Sequence, residues 1–232
     1  MRLPPLTAGV LLRRYQRFLA DVRLESGEVV TAHTANTGRM TGVAEPGSRV
    51  WLSRASDPRR KLKWTWELVE ARPGVLVGIH TGRANALVAE GIETGVIQEL
   101  AGYHRIRREV RYGGRHRIDL LLEDDGRPPA YVEVKNTTLV EDGVALFPDA
   151  VSERARRHLA ALEAMVAEGA RAVICFCVQR EDAVASAPAD AIDPAYGAAL
   201  RRAVAAGVEA IAYRARVSTR EIVLERSLPV RL

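Results

Sequence analysis

The sequence predicts a mixed α/β (α+β) chain in two parts: a small OB-like β-barrel over residues 1–80 and an α/β domain over residues 81–232. Two patterns and one bulk property carry this. Up to residue 80, short alternating runs recur at regular spacing between turn residues. After residue 81, helical and strand patterns alternate. The 232 residues, 47% hydrophobic and 27% charged, are ordinary globular composition with enough chain to bury a core.

In the first part, residues 17–24 and 28–33 read as strands around the Ser26-Gly27 break. Residues 48–53 follow Pro46-Gly47. In residues 63–71, Trp64, Trp66 and Leu68 alternate with Lys63, Thr65 and Glu67. Pro73-Gly74 then precedes a strand over 75–79. Periodicity alone does not separate an OB-like barrel from other small barrels.

In the second part, Asn85 can cap a helix running to about Gly102, with Leu87, Ile92, Val96, Ile97 and Leu100 inward. Strands are expected over 107–112, 117–123 and 130–136. A helix over 152–168 stops at Gly169, and the apolar run 171–178 reads as a strand buried on both faces. Asp193-Pro194 opens a further helix that Gly207 ends, and residues 208–213 form the last expected strand.

Lys and Arg outnumber Asp and Glu by 34 to 29, giving a net charge of +5. That balance favours a polyanionic partner. Only Lys61, Lys63 and Lys135 are lysines. Cys175 and Cys177 sit two apart in an apolar strand, where they read as core residues and not as a disulfide or a zinc site. No run reaches the roughly 18 apolar residues of a membrane span, and the apolar stretch before Arg13-Arg14 is too short for a signal peptide. The expectation is a soluble, cytoplasmic protein with no membrane partner.

The residues that carry chemistry centre on one hairpin. Asp119 lies in the 117–123 strand and shares a face with Leu121, opposite Ile118, Leu120 and Leu122. Glu133 and Lys135 share a face of the next strand with Tyr131. The turn between them, Asp124-Asp125-Gly126-Arg127-Pro128-Pro129, is centred on Gly126, which sets Asp119 opposite Glu133. Two adjacent carboxylates need a cation, a proton or water between them. Mg²⁺, or Mn²⁺, fits such oxygen ligands, and the Val134 carbonyl can add another. Lys135 on the same face can orient water or stabilise charge on phosphate. Glu99 is a candidate further carboxylate. A salt-bridged, solvated strand face is the competing reading.

Basic residues surround this hairpin. Arg105, Arg107, Arg108, Arg111, Arg115 and Arg117 lead into Asp119 and suit phosphate contacts. Lys61 and Lys63, in an Arg-Lys run beside Trp64 and Trp66, form a second patch, though the tryptophans read better as core. Arg13 and Arg14 form a third. His33 and His158 read as structural histidines.

With these residues in view, the chain resembles the bacterial and archaeal sugar fermentation stimulation protein A family. The likeness rests on residues 14–22, Asn36-Thr37-Gly38-Arg39-Met40-Thr41-Gly42, Thr65-Trp66-Glu67-Leu68 and Arg117-Ile118-Asp119. It continues through Glu133-Val134-Lys135, Phe147-Pro148-Asp149-Ala150 and Ser227-Leu228-Pro229-Val230. The resemblance implies an OB-like first domain and a PD-(D/E)xK nuclease-like second domain. It also implies non-specific DNA binding and a regulatory role in sugar, notably maltose, metabolism. By motif, Asp119, Glu133 and Lys135 match the nuclease core, with Glu99 as the helix carboxylate. The chain departs from the family pattern at Thr34-Ala35, Asn136 and Ala155.

Two functions follow as expectations. One is a Mg²⁺-dependent nuclease acting on DNA, RNA or single strands. The other is a non-catalytic, DNA-binding regulator on the same fold. A homo-oligomer is left open. Nothing in the sequence supports a sugar-metabolising enzyme, since there is no nucleotide-binding glycine loop.

Overall fold

A computed structural model describes residues 1–112 and 116–232. The first sheet contains β1 (Leu6–Tyr15), β2 (Leu19–Leu24), β3 (Val29–Thr34), β4 (Arg49–Arg54), β5 (Trp64–Arg72) and β6 (Val75–Gly78). Their order is β3-β2-β1-β4-β5-β6, and a parallel β3–β5 pairing closes the first five strands into a ring. That closure is the five-stranded OB barrel. Its core holds Leu11, Val22, Val30, Val50, Leu52, Val69 and the fully buried Trp66, whose indole N–H donates to the Leu68 carbonyl. Trp66 is thus core, while Trp64 is half-buried under the Arg54 guanidinium.

Strand β1 is absent from the sequence reading, which took its apolar run only as a failed signal peptide. Gly9 shows why the strand is hard to read and why it fits. Pairing with both Leu24 and Val50, it sits where an added Cβ would lie 2.6 Å from Val22 Cγ1 and 2.8 Å from the Arg23 carbonyl oxygen. Gly9→Ala is therefore expected to destabilise the chain by about 1–3 kcal/mol through overpacking against backbone. Urea denaturation measures this, and an unchanged midpoint would contradict the tight crossing.

The second domain begins with a 3-10 turn, Thr81–Arg83, leading into α1 (Ala84–Glu93). The expected helix to Gly102 is cut short. Gly95 adopts the left-handed conformation (φ +75°) that terminates a helix, and residues 98–100 form a separate 3-10 turn. Six further strands form the main sheet: β7 (Arg105–Tyr112), β8 (His116–Glu123), β9 (Ala130–Thr137), β12 (Arg171–Val178), β14 (Glu209–Val217) and β15 (Ile222–Leu228). Between them come β10 (Leu139–Glu141), β11 (Val144–Phe147) and β13 (Ala185–Pro188), which make a small separate sheet. The main sheet runs β15-β14-β12-β9-β8-β7, with β9, β12 and β14 parallel.

Helix α1 covers one face of this sheet. Helices α2 (Glu153–Ala167) and α3 (Pro194–Ala205) cover the other. Strand β12, covered on both faces, is buried from Ala172 to Val178, as its unbroken apolar run requires. Cys175 and Cys177 are free, buried core residues there. Ser152 caps α2, and Asp193 caps α3 ahead of Pro194. The cluster under α1 also takes in Trp51 and Leu68 of the barrel, so the two domains share an apolar contact. No helix among the described residues is long and apolar enough to cross a membrane.

Candidate active site

The β8–β9 hairpin pairs Leu120 with Val132, Leu121 with Tyr131 and Leu122 with Ala130. This register continues to Asp119 opposite Glu133, the arrangement expected from a turn centred on Gly126. The ladder stops one step short, however. Val134 N–H donates instead to Asp119 Oδ2 (2.8 Å), so the aspartate side chain takes the place of a backbone acceptor.

Strand β8 departs from the expected alternation at Ile118. Ile118 does not share a face with Leu120 and Leu122. It packs under α2 and α3, whereas the other two pack under α1. Neighbouring β7 switches in the same way, with Ile106 on the α1 side and Val110 on the α2 side. The switch falls at Glu109, which has a left-handed backbone (φ +55°) and lies with Asp119 between the Arg108–Leu120 and Val110–Ile118 pairs. A kink at this pair breaks the alternation and turns Asp119 toward Asn85. Asn85 is not a helix cap. It lies inside α1, and its amide donates to Asp119 Oδ1 (2.8 Å) and to Glu109 Oε1 (3.2 Å).

Glu133 is 3% exposed and Lys135 8%. Lys135 Nζ lies 2.6 Å from Glu133 Oε1 and 3.3 Å from His158 Nδ1. His158 on α2 also bonds the same Glu133 oxygen directly. Burial drives the Glu133 carboxyl upward, but His158 and Lys135 outweigh it and leave the group below the usual range. Asp119 behaves oppositely. Burial, then the charge of Glu133, raises its pKa to about 6, despite the bonds from Val134 and Asn85. The pair thus holds one committed anion beside a carboxyl that ionises reluctantly.

This has a pH consequence. Since folding raises the Asp119 pKa, the folded chain keeps a proton that the unfolded chain releases between about pH 4 and its folded value. The contribution favours folding at the acid end and is lost as pH rises through about 6. In cation-free buffer, the Asp119 carboxyl carbon should titrate near that value by NMR, and in Glu133→Gln it should titrate lower. An unshifted Asp119 would break the argument.

Asp119, Val134 and Lys135 open onto a cleft of about 510 Å³ between barrel and second domain. The other predicted residues lie elsewhere. Glu99 is exposed on the 3-10 turn after α1, where its carboxylate accepts from the Tyr213 hydroxyl (2.5 Å). The shortened α1 carries it away from the hairpin. Arg14 is turned inward: its guanidinium donates to the carbonyls of Arg17, Asn36, Gly38 and Arg39, so it supports a loop and does not face solvent as a patch. Arg13 pairs with Asp21, Arg105 and Arg107 with Glu123, and Arg117 with Glu109. Arg108 and Arg111 are exposed on edge strand β7. Lys61 is exposed, and Lys63 bonds the Pro58 carbonyl. Arg115 falls outside the described residues.

The cleft's own cations are Arg17, Arg39, Arg154 and Lys135. Sequence reasoning missed the first three as a group because they come from three distant segments. It read His158 only as a structural histidine and did not connect it with Glu133, although a histidine three residues after Ala155 and four before Leu162 shares the buried face of α2.

Comparison with known proteins sets this geometry in a family. Residues 12–79 match the SfsA N-terminal OB domain, and residues 82–221 match the sugar fermentation stimulation protein RE domain. The chain belongs to the sugar fermentation stimulation protein family. A homologue from Geobacter sulfurreducens is 61% identical over 97% of this chain and 96% of its own length. One from Alkalilimnicola ehrlichii is 58% identical over 97% of both chains. The solved structure of Pyrococcus furiosus SfsA, in complex with Ca²⁺, is similar at 29% identity. It has a TM-score of 0.91 and covers 100% of this chain and 98% of that one.

Proposed function

We propose that this member of the sugar fermentation stimulation protein family is a divalent-cation-dependent nuclease acting at Asp119, Glu133 and Lys135. The observation that carries the reading is Asp119 set opposite Glu133 by the β8–β9 register, with Asp119 and Lys135 lining the cleft and Glu133 buried behind them. The donor set suits a hard cation: two carboxylates, one with its pKa raised by burial and then by the charge of the other, next to the Val134 peptide. The Pyrococcus furiosus relative was solved with Ca²⁺, a cation of the same oxygen-seeking class. Mg²⁺ or Mn²⁺, when bound, supplies charge to a phosphoryl oxygen and a more acidic water.

The chain's own residues do the rest. Val134 N–H and the Asn85 amide fix the Asp119 carboxylate so that it needs no rearrangement to act as ligand. His158 and Lys135 hold Glu133 from the other side. Lys135 Nζ, anchored by that carboxylate, is positioned to stabilise charge developing on a phosphate in the cleft.

A second reading, a non-catalytic DNA-binding regulator of sugar (maltose) metabolism, is favoured by one fact. Glu133 already has two basic partners and is balanced without a cation. A cleavage panel separates the two. The full chain is incubated with single- and double-stranded DNA and RNA, with Mg²⁺, Mn²⁺ or EDTA. Cation-dependent strand scission is expected. Binding without scission, unchanged in Asp119→Asn, would establish the regulator instead.

A further inference from the structure

The cleft has two fixed walls. From the barrel side come Arg17, Asn36, Gly38 and Arg39. From the second domain come the segment 146–152 and Arg154. The walls are tied across the cleft: Met40 N–H donates to Asp149 Oδ2 (2.7 Å), and Thr81 Oγ1 donates to the Ala35 carbonyl (3.0 Å). Below the barrel loop, Arg14 gathers four carbonyls and so stiffens it. A duplex presents its scissile phosphate on a broad convex surface and needs an open trough. Here the two walls are joined by those bonds at a cleft of about 510 Å³, a shape that suits one strand better than a duplex.

The barrel wall is also strained where it meets the cleft. In the three-residue β1–β2 turn, residues 16–18, Gln16 and Arg17 have left-handed backbones (φ +48° and +67°), and Met40 is left-handed too (φ +59°). Left-handed positions in hairpin turns favour Asn and Gly. A Gln-Arg pair there carries backbone strain, and strain of this sort gathers at functional positions. It aims Arg17 at the cleft, with Nε held on the Thr37 carbonyl (3.0 Å).

The cleft arginines differ from the paired arginines of the surface. Arg13, Arg105, Arg107 and Arg117 each have a carboxylate partner. Among the described residues, Arg17, Arg39 and Arg154 have none, and all three are exposed. Arg154 rests on His158 Nε2 (3.3 Å), which in turn touches Glu133. The cleft's anionic side chains are Asp119, at its floor, and Asp149, whose Oδ2 is committed to Met40. Unpaired guanidinium groups on opposite walls suit successive phosphates of one strand.

We propose that the site takes a single-stranded polynucleotide, laid in the cleft beside Asn36, Gly38 and Arg39, with Arg17, Arg39 and Arg154 as its phosphate contacts. This rests on the reading of Asp119, Glu133 and Lys135 as a nuclease site, but its test is independent of scission. Anisotropy with one 5′-labelled sequence, offered to the full chain in EDTA as single-stranded DNA, single-stranded RNA or duplex DNA, compares the substrates directly. One or both single strands should bind about tenfold or more tightly than the duplex. Arg39→Ala and Arg17→Gly should each weaken that binding about tenfold, as lost charge-assisted contacts do. Each should also lower the salt slope by about one. Arg17→Gly relieves the turn's backbone, so its thermal midpoint should hold or rise while affinity falls. Equal or tighter duplex binding, or unchanged affinity in both variants, would overturn the proposal. Single-strand preference without cleavage would sink the nuclease reading and leave this one standing. Duplex cleavage without strand preference would do the reverse.

Discussion

Lys135→Ala is expected to lower phosphodiester cleavage by about 10²–10³-fold, the usual cost of removing one preorganised donor from a developing oxyanion. The expectation comes from placement. Lys135 is almost fully buried, yet it lines the cleft beside Asp119, and its Nζ is locked between Glu133 and His158. A lysine that served only to neutralise Glu133 would be replaceable by arginine. One that meets a phosphate at a fixed point would not, because a planar guanidinium cannot occupy the same spot. The effect should therefore fall on kcat with little change in KM, and Lys135→Arg should fail to rescue it. A Lys135→Ala enzyme with near-native kcat would remove Lys135 from the chemistry.

Arg83→Ala is expected to cost about 3–5 kcal/mol of stability, because it strands a buried carboxylate. Glu67 on β5 is 3% exposed. Its Oε1 accepts from Arg83 Nη2 (2.8 Å) and Ser53 Oγ (2.7 Å), and its Oε2 from Arg83 Nε (2.8 Å). Arg83 sits in the turn that carries the chain from barrel to α1, so this ion pair fastens the two domains together. Burial pushes the Glu67 carboxyl up, but Arg83 and Ser53 more than offset it, and its pKa is lowered on folding. Its contribution is therefore present above the ordinary carboxylate range and lost as pH falls through the folded value. Adding Glu67→Gln to Arg83→Ala should recover much of the loss, since the stranded charge is gone. Urea denaturation of the single and double variants at neutral pH tests this. A single-variant loss below about 1 kcal/mol would show that the pair contributes little.

Much of the hairpin was legible because its cues are local. A turn around Gly126 and two apolar strands set the register of Asp119 against Glu133. The helices α2 and α3 were legible for the same reason, each opened by a cap and ended by a glycine. Strand β1 was not, since Gly9 and the Arg13-Arg14 pair blur its alternation, and only closure against β2 and β4 reveals it. Strands β10, β11 and β13 are too short for a periodic signal. Spacing placed Glu99 on a helix that Gly95 ends early. The dense arginines of β7 drew attention by sequence proximity, whereas Arg17, Arg39 and Arg154 converge only in the fold. His158 reaches Glu133 from the helix packed across the sheet, a contact that no pairwise spacing encodes.

The central claim is that Asp119 and Glu133 together hold a divalent cation, and calorimetric titration of the full chain with Mn²⁺ or Ca²⁺ near neutral pH tests it most directly. One cation per chain is predicted, with binding lost in both Asp119→Asn and Glu133→Gln and kept in Lys135→Ala. Absence of binding by the native chain, or binding that survives both carboxylate variants, would contradict it.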